Sequence, residues 1–152
     1  MRRCWSVWAC SAALLGAAGC GAARPATPVV SAEWRANARQ VVQQLRVDIA
    51  AAEVGGTTPT AAAAALRDTS HLYALLVAYS DLAGCRQMVA SVSAPARVTR
   101  AFAPACVRLE RAADLFARAT QQSNPAALVR ATRETGFAQP SLVRAMLAIR
   151  RG

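Results

Sequence analysis

The stretch Cys85–Cys106, CRQMVASVSAPARVTRAFAPAC, decides the fold because two cysteines flank a turn at nearly equal distances. Apolar residues recur at steps of three or four on both sides of residues 91–97, SVSAPAR, which predicts two helices joined by a turn. Facing residues of an antiparallel helical hairpin lie equally far from its turn, and the midpoint of 85 and 106 falls within SVSAPAR. We therefore expect a disulfide between Cys85 and Cys106 that joins the second helix to the third.

The rest of the chain after residue 30 shows the same helical periodicity, and no segment alternates apolar and polar residues as a strand would. We expect four helical tracts, over residues 31–54, 58–92, 95–122 and 125–152. Pro104 is expected to kink the third helix or to mark a fresh start within it, and Gly136 with Pro140 to break the fourth. The tracts predict an all-α domain over residues 31–152, folded as a four-helix up-down-up-down bundle with one interhelical disulfide.

The first twenty residues have a different pattern. Arg2 and Arg3 precede an uncharged run over Cys4–Gly19, which is shorter than the roughly 20 apolar residues of a membrane-spanning helix. A positive start, a short apolar run and small residues at its end are typical of an export signal. The end of the run, LGAAGC over residues 15–20, resembles the lipobox of bacterial lipoproteins, in which small residues come directly before a cysteine.

This resemblance implies that the thiol of Cys20 carries diacylglycerol and that residues 1–19 are a signal peptide removed just before it. Residues 20–30 then form a lipidated tether to the domain. The protein would be exported and lipid-anchored, on the outer face of the bacterial cytoplasmic membrane or in the outer membrane. Ala17 departs from the family pattern, which prefers Leu there. Secretion after cleavage behind Ala23, and retention of the segment as an uncleaved anchor, remain alternatives.

The chain contains five cysteines, and loss of Cys4 and Cys10 with lipidation of Cys20 leaves one pair for the domain. An even number of cysteines outside the cell favours a disulfide. The alternatives are free thiols or a metal site of Cys85 with Met88, since soft sulfur ligands suit Cu(I). No Cys-x-x-Cys motif is present, and we expect no metal. Residues 85–119 also resemble small exported helical proteins of high-GC bacteria with two similarly spaced cysteines, and that resemblance implies no catalytic residue.

All basic residues are arginine, 18 in number against 8 acidic residues, and the formal charge is +10. On the third tract five arginines fall within about 80° at 100° per residue, opposite the apolar stripe: Arg97, Arg100, Arg108, Arg111 and Arg118. The fourth tract adds Arg130, Arg133, Arg144, Arg150 and Arg151.

Such a surface suits anionic lipid, an anionic envelope polymer or an acidic protein. The alternative is the ordinary polar side of a helix in an arginine-biased proteome. Export and the lack of interleaved aromatics argue against nucleic acid.

Motifs for catalysis are missing from the sequence. It has no Gly-x-Ser-x-Gly elbow, no phosphate-binding glycine loop, no Glu-x-x-His motif and one histidine, His71. We therefore expect no catalytic residue and no cofactor. The leading hypothesis is a non-catalytic envelope lipoprotein that serves as a binding or scaffolding module. A small-ligand or cofactor carrier with a pocket near His71, Tyr73 and Tyr79 is the alternative, and an enzyme of unknown class comes third.

Overall fold

The computed structural model describes residues 32–151, which form helices joined by short turns and contain no strand. Six α-helices occur in this range: α1 (Ala32–Ala52), α2 (Pro59–Arg67), α3 (Thr69–Ala83), α4 (Cys85–Ser91), α5 (Ala96–Gln121) and α6 (Pro125–Arg150). A 3-10 turn over Glu53–Gly55 follows α1. The all-α prediction is confirmed, whereas the prediction of four helices is not. The predicted signal peptide, Cys20 and the tether lie outside the described residues.

The second predicted helix is divided into α2, α3 and α4. Asp68 ends α2 with extended backbone (φ −86°, ψ 116°), and its carboxylate accepts a hydrogen bond from the His71 backbone N–H at 2.9 Å. That bond caps α3 and is the main cause that lowers the pKa of Asp68. Gly84, where the sequence allows at most a bend in the second helix, ends α3 and precedes α4. The apolar periodicity continues across both breaks. At Asp68, however, the short side-chain carboxylate competes for a backbone N–H and starts a new helix.

The predicted break in the fourth helix is wrong, because α6 is one helix from Pro125 to Arg150. Pro140 lies on the exposed side of α6 and removes the intrahelical donor for the carbonyl of Gly136, which is also exposed. Water can satisfy a carbonyl on that side, so the buried side of the helix continues unchanged. In the same way α5 continues through the exposed Pro104 without a fresh start.

The core combines large side chains with many buried alanines. Tyr79 of α3 and Phe116 of α5 stack with ring centroids 4.5 Å apart and an interplanar angle of 12°. The core also contains the fully buried side chains of Leu45, Ile49, Leu75, Leu82, Phe102, Leu109, Leu128 and Leu142. Alanines with no exposed surface, such as Ala105 on α5 and Ala138 on α6, allow the helices to approach closely. Tertiary packing of this kind supplies most of the stability of these helices, because intrinsic helix propensity alone is not sufficient.

The two domain cysteines meet where the hairpin spacing predicts. Cys85 and Cys106 form a disulfide, and their Cα atoms are 5.3 Å apart. Both residues are buried. The disulfide joins α4 to α5 across the turn at residues 92–95, so it fixes the shorter helices against the long α5–α6 hairpin.

Candidate functional site

Charge is unevenly distributed between the two halves of the described chain. Residues 96–151, which contain α5 and α6, carry ten arginines and three acidic residues, a formal charge of +7. Residues 32–95 carry five arginines and five acidic residues, and so no net charge. The α5–α6 hairpin therefore holds all of the net positive charge of residues 32–151, and its surface is the candidate functional site.

The five arginines that the sequence singles out are all exposed on α5. The opposite side of the same helix is buried through Val98, Phe102, Leu109 and Phe116. Helical periodicity thus places an apolar stripe in the core and the guanidinium groups in solvent, as predicted. The structure adds that these arginines differ in their surroundings.

Two of the five arginines converge on Glu134 of α6. Arg108 Nη1 lies 2.8 Å from Glu134 Oε2, and Arg111 Nε lies 3.7 Å from Glu134 Oε1. The Glu134 side chain is 14% exposed, whereas that of Arg111 is 69% exposed. Exposed ion pairs contribute between about 0 and 1 kcal/mol to stability, so the main effect here is on position. Glu134 holds both guanidinium groups along the seam between α5 and α6.

The other three arginines of the set are not held by carboxylates. Arg97 Nη2 donates a hydrogen bond to the carbonyl of Arg151 at 3.4 Å, and Arg100 Nε donates to the carbonyl of Ala96 at 3.3 Å. Arg118 forms no ion pair with any residue between 32 and 151. These guanidinium groups keep most of their donors available to a partner.

The neighbouring helix α6 extends this surface. Arg130, Arg133 and Arg144 are exposed on one side of α6, and Arg144 Nη2 donates to Ser141 Oγ at 2.8 Å. We name the combined surface the basic face, consisting of Arg97, Arg100, Arg108, Arg111 and Arg118 of α5 with Arg130, Arg133 and Arg144 of α6. The sequence had already indicated the arginines of α6, although it did not show how they adjoin those of α5.

An exposed aromatic ring lies within the basic face. Phe137 of α6 is 58% exposed, and the guanidinium carbon of Arg108 lies 5.3 Å from the centre of its ring. This distance is within the range of a cation–π interaction. Phe137 was not among the predicted site residues, and the expectation that no aromatic side chain lies among the arginines is wrong at this position. The sequence does indicate where the ring lies, because Phe137 follows Arg133 by four residues and Arg130 by seven, which places it on the charged side of α6.

The candidates for metal or redox chemistry remain apart. His71 lies exposed at the start of α3, where its Nδ1 is 3.5 Å from the Asp68 carboxylate. Cys85 is buried at the start of α4 and is bonded to Cys106. Among the residues that the structure describes, no group of three or more His, Cys, Asp and Glu side chains could hold a metal ion.

The residues suggested for a carrier pocket lie in different environments. Tyr73 is 70% exposed, whereas Tyr79 is buried, and burial raises the pKa of Tyr79 to about 12. The Tyr79 hydroxyl faces that of Thr132 without the geometry of a hydrogen bond. A groove between α1 and α6, lined by Val42, Leu142 and Met146 among others, encloses about 100 Å³. Typical small-molecule pockets hold about 300–1,000 Å³, so this groove is small for such a ligand, whereas a more open groove between α1 and α4 has a volume of about 390 Å³.

One acidic residue is buried in the described core. Asp48 of α1 is 5% exposed, and its Oδ1 accepts a hydrogen bond from Gln44 Nε2 at 3.0 Å. Its Oδ2 has no hydrogen-bond partner among the described residues. Burial raises the pKa of Asp48, and the negative charge of Asp81 on α3 adds to this shift.

None of the helices within residues 32–151 combines the length and the apolar content needed to cross a membrane. Comparisons of the chain with protein-family models, with curated proteins and with solved structures found no match. Its function is therefore inferred from its own residues and geometry.

Proposed function

We propose that this protein is a non-catalytic, lipid-anchored component of the bacterial cell envelope whose helical domain binds a partner through the basic face. The lipobox-like end of the N-terminal segment supports an anchor at Cys20. The observation that carries the binding role is that the α5–α6 hairpin holds all of the net positive charge of residues 32–151. The proposed protein is a binding module whose chemistry lies on its surface.

The guanidinium groups of this surface suit anionic partners. Arginine presents planar donors that bind phosphate or carboxylate through two parallel hydrogen bonds. Arg118, Arg130 and Arg133 form no ion pair within residues 32–151, so their donors are open to such a partner. Anionic lipid, an anionic envelope polymer and an acidic protein all offer the required groups.

We also propose that the helices form a variant of the four-helix bundle, in which α2, α3 and α4 together replace the second helix. In support of this arrangement, α3 packs against both α1 and α5, and α6 packs against α1 and α5. The disulfide holds α4 against α5. Such a scaffold would keep the two helices of the basic face in fixed relative positions.

Metabolic labelling with palmitate tests the anchor in a bacterial host that processes lipoproteins. The wild-type chain should incorporate the label, and Cys20→Ala should incorporate none, because alanine has no thiol to alkylate. Cys10→Ala is the matched control, since Cys10 lies in the same segment and its loss should leave labelling unchanged. Label that persists in the Cys20→Ala chain would refute the assignment of Cys20.

A further inference from the structure

We infer that the basic face is a membrane-docking surface, which lies along an anionic lipid bilayer with the Phe137 ring inserted among the headgroups. The inference deepens the proposed function by naming the partner of this surface. It rests on the proposed function, because the proposed lipid anchor is what keeps the domain close to a bilayer.

The shape of the hairpin favours a plane over a compact ligand. Helices α5 and α6 contain 26 residues each, and a helix of that length is about 39 Å long at 1.5 Å per residue. Contacts cross their seam in the middle, where Arg108 meets Glu134 at 2.8 Å, and at one end, where Arg97 meets the Arg151 carbonyl at 3.4 Å. Two adjacent antiparallel helices present a long side on which arginines recur over the full length. A bilayer surface can meet all of them together, whereas a single small anion would meet few.

The exposed apolar side chains distinguish a lipid surface from a soluble polyanion. Phe137 is 58% exposed among the arginines, and Val107 of α5, 52% exposed, lines the same surface groove as Arg108 and Arg111. Helices that lie in a membrane interface combine arginines with exposed Phe, Trp or Leu side chains that reach the boundary of the acyl chains. Binding to a purely charged polymer would leave these apolar side chains without a role.

The acidic residues of the hairpin oppose this docking only weakly. Glu134 is 14% exposed and is paired with Arg108 and Arg111, and Glu110 is paired with Arg86 of α4 at 2.8 Å. Asp114 is the third acidic residue and is exposed on α5. Each arginine near an anionic membrane surface raises the partition coefficient about fivefold. Several arginines acting together therefore outweigh one exposed carboxylate.

The chain enters the domain at one end of the basic face. Helix α1 runs antiparallel to α6, because Val42 lines a groove with Met146 while Gln139 Nε2 donates to Glu53 Oε1 at 3.3 Å further along. The start of α1 therefore lies near the end of α6, where Arg97 contacts Arg151. Eleven residues lie between Cys20 and Ala32, so the two are at most about 43 Å apart. A lipid at Cys20 would keep this end within reach of the bilayer, at an effective concentration in the millimolar range.

Fluorescence quenching by brominated phosphatidylcholine tests the docked geometry on the full chain reconstituted in vesicles. Phe137→Trp reports on the basic face, and Tyr73→Trp is the matched control, because Tyr73 is an exposed aromatic residue on α3. In vesicles that contain equal parts of phosphatidylglycerol and brominated phosphatidylcholine, Phe137→Trp should be quenched beyond the native tryptophans, and Tyr73→Trp should not. In brominated phosphatidylcholine alone, neither variant should exceed the wild-type quenching.

Removal of arginine charges from the basic face is the second test of the inference. In the Phe137→Trp chain, the combined changes Arg118→Gln, Arg130→Gln and Arg133→Gln should lower the ratio of docked to undocked protein about 100-fold. Arg39→Gln, Arg46→Gln and Arg67→Gln remove three exposed charges from the neutral half and should leave that ratio unchanged. Salt on the order of 1 M, where the Debye length is about 3 Å, should also reduce the quenching.

Three results would overturn the inference: quenching of Phe137→Trp no stronger than that of wild type on anionic vesicles, equal quenching of Tyr73→Trp, or equal losses in the two arginine triples. The first would favour a polymer or an acidic protein as the partner. Palmitate labelling of Cys20 does not depend on any of these results. Failure of the docking surface and failure of the anchor are therefore distinguishable.

Discussion

At the scale of single residues, burial and charge conflict most clearly at Asp48. Within residues 32–151 only one of its carboxylate oxygens accepts a hydrogen bond, and Asp81 places a like charge nearby. Burial raises the pKa of Asp48, so the folded state binds its proton more tightly than the unfolded state does. Stability therefore falls as pH rises from the unfolded pKa of about 3.9 to the raised folded pKa, and the full loss persists above it.

Asp48→Asn should make the protein more stable at neutral pH. Asparagine keeps the shape and an oxygen acceptor for Gln44, and it removes the buried charge, which should raise the free energy of unfolding by about 1 kcal/mol at pH 7. The gain should shrink as the pH falls and vanish by about pH 3, where the carboxyl group is protonated in both states. Urea unfolding over a pH series measures both effects.

Asp81→Asn serves as the control for this prediction. Asp81 is exposed, so its neutralisation relieves the like-charge repulsion without relieving the burial of Asp48. Its gain should be smaller than that of Asp48→Asn. A destabilised Asp48→Asn, or a gain that does not change with pH, would contradict this account of the buried carboxyl.

At the scale of elements, the sequence predicts features that depend on periodicity within one helix or on equal distance from a turn. The exposed arginines of α5 and the spacing of Cys85 and Cys106 about a turn are of this kind. The break at Asp68 was missed because its capping bond competes locally with a helical pattern that continues beyond it. The pairing of Glu134 with two arginines depends on how two helices adjoin, which periodicity within either helix does not determine.

Two glycines, one directly after α1 and one inside α6, should respond oppositely to alanine. Gly55 is buried after α1, where an added Cβ would lie 3.0 Å from Leu128 Cδ1 and 3.1 Å from Thr132 Oγ1. An added Cβ at Gly136 within α6 would meet nothing within 4 Å. Gly55→Ala should lower the free energy of unfolding by about 1–2 kcal/mol through overpacking. Gly136→Ala should raise it by about 0.5–1 kcal/mol through helix propensity. Urea unfolding of both variants measures the difference, and a change of the same sign in both would contradict this account.

At the scale of the whole molecule, the disulfide joins two parts with different charge. Cys85 belongs to the electrically neutral residues 32–95, and Cys106 belongs to the α5–α6 hairpin with its formal charge of +7. Charges of one sign repel one another in a compact state and oppose its stability. The alanine-rich core offers limited apolar area per side chain, so a covalent link between the two parts has a large share in the stability of the domain.

Removal of this link should be measurable in the whole molecule. The disulfide spans a sequence separation of 21, and in the chain-entropy model a loop of that length contributes roughly 3 kcal/mol by constraining the unfolded state. Cys85→Ala with Cys106→Ala should therefore lower the free energy of unfolding in urea by about that amount. The reduced wild-type protein is the matched control, because it lacks the disulfide but keeps both sulfur atoms. Reduction should not change the free energy of unfolding of the double variant. Thiol titration of the denatured, unreduced protein should detect neither Cys85 nor Cys106, whereas two reactive thiols at these positions would show that the bond is absent.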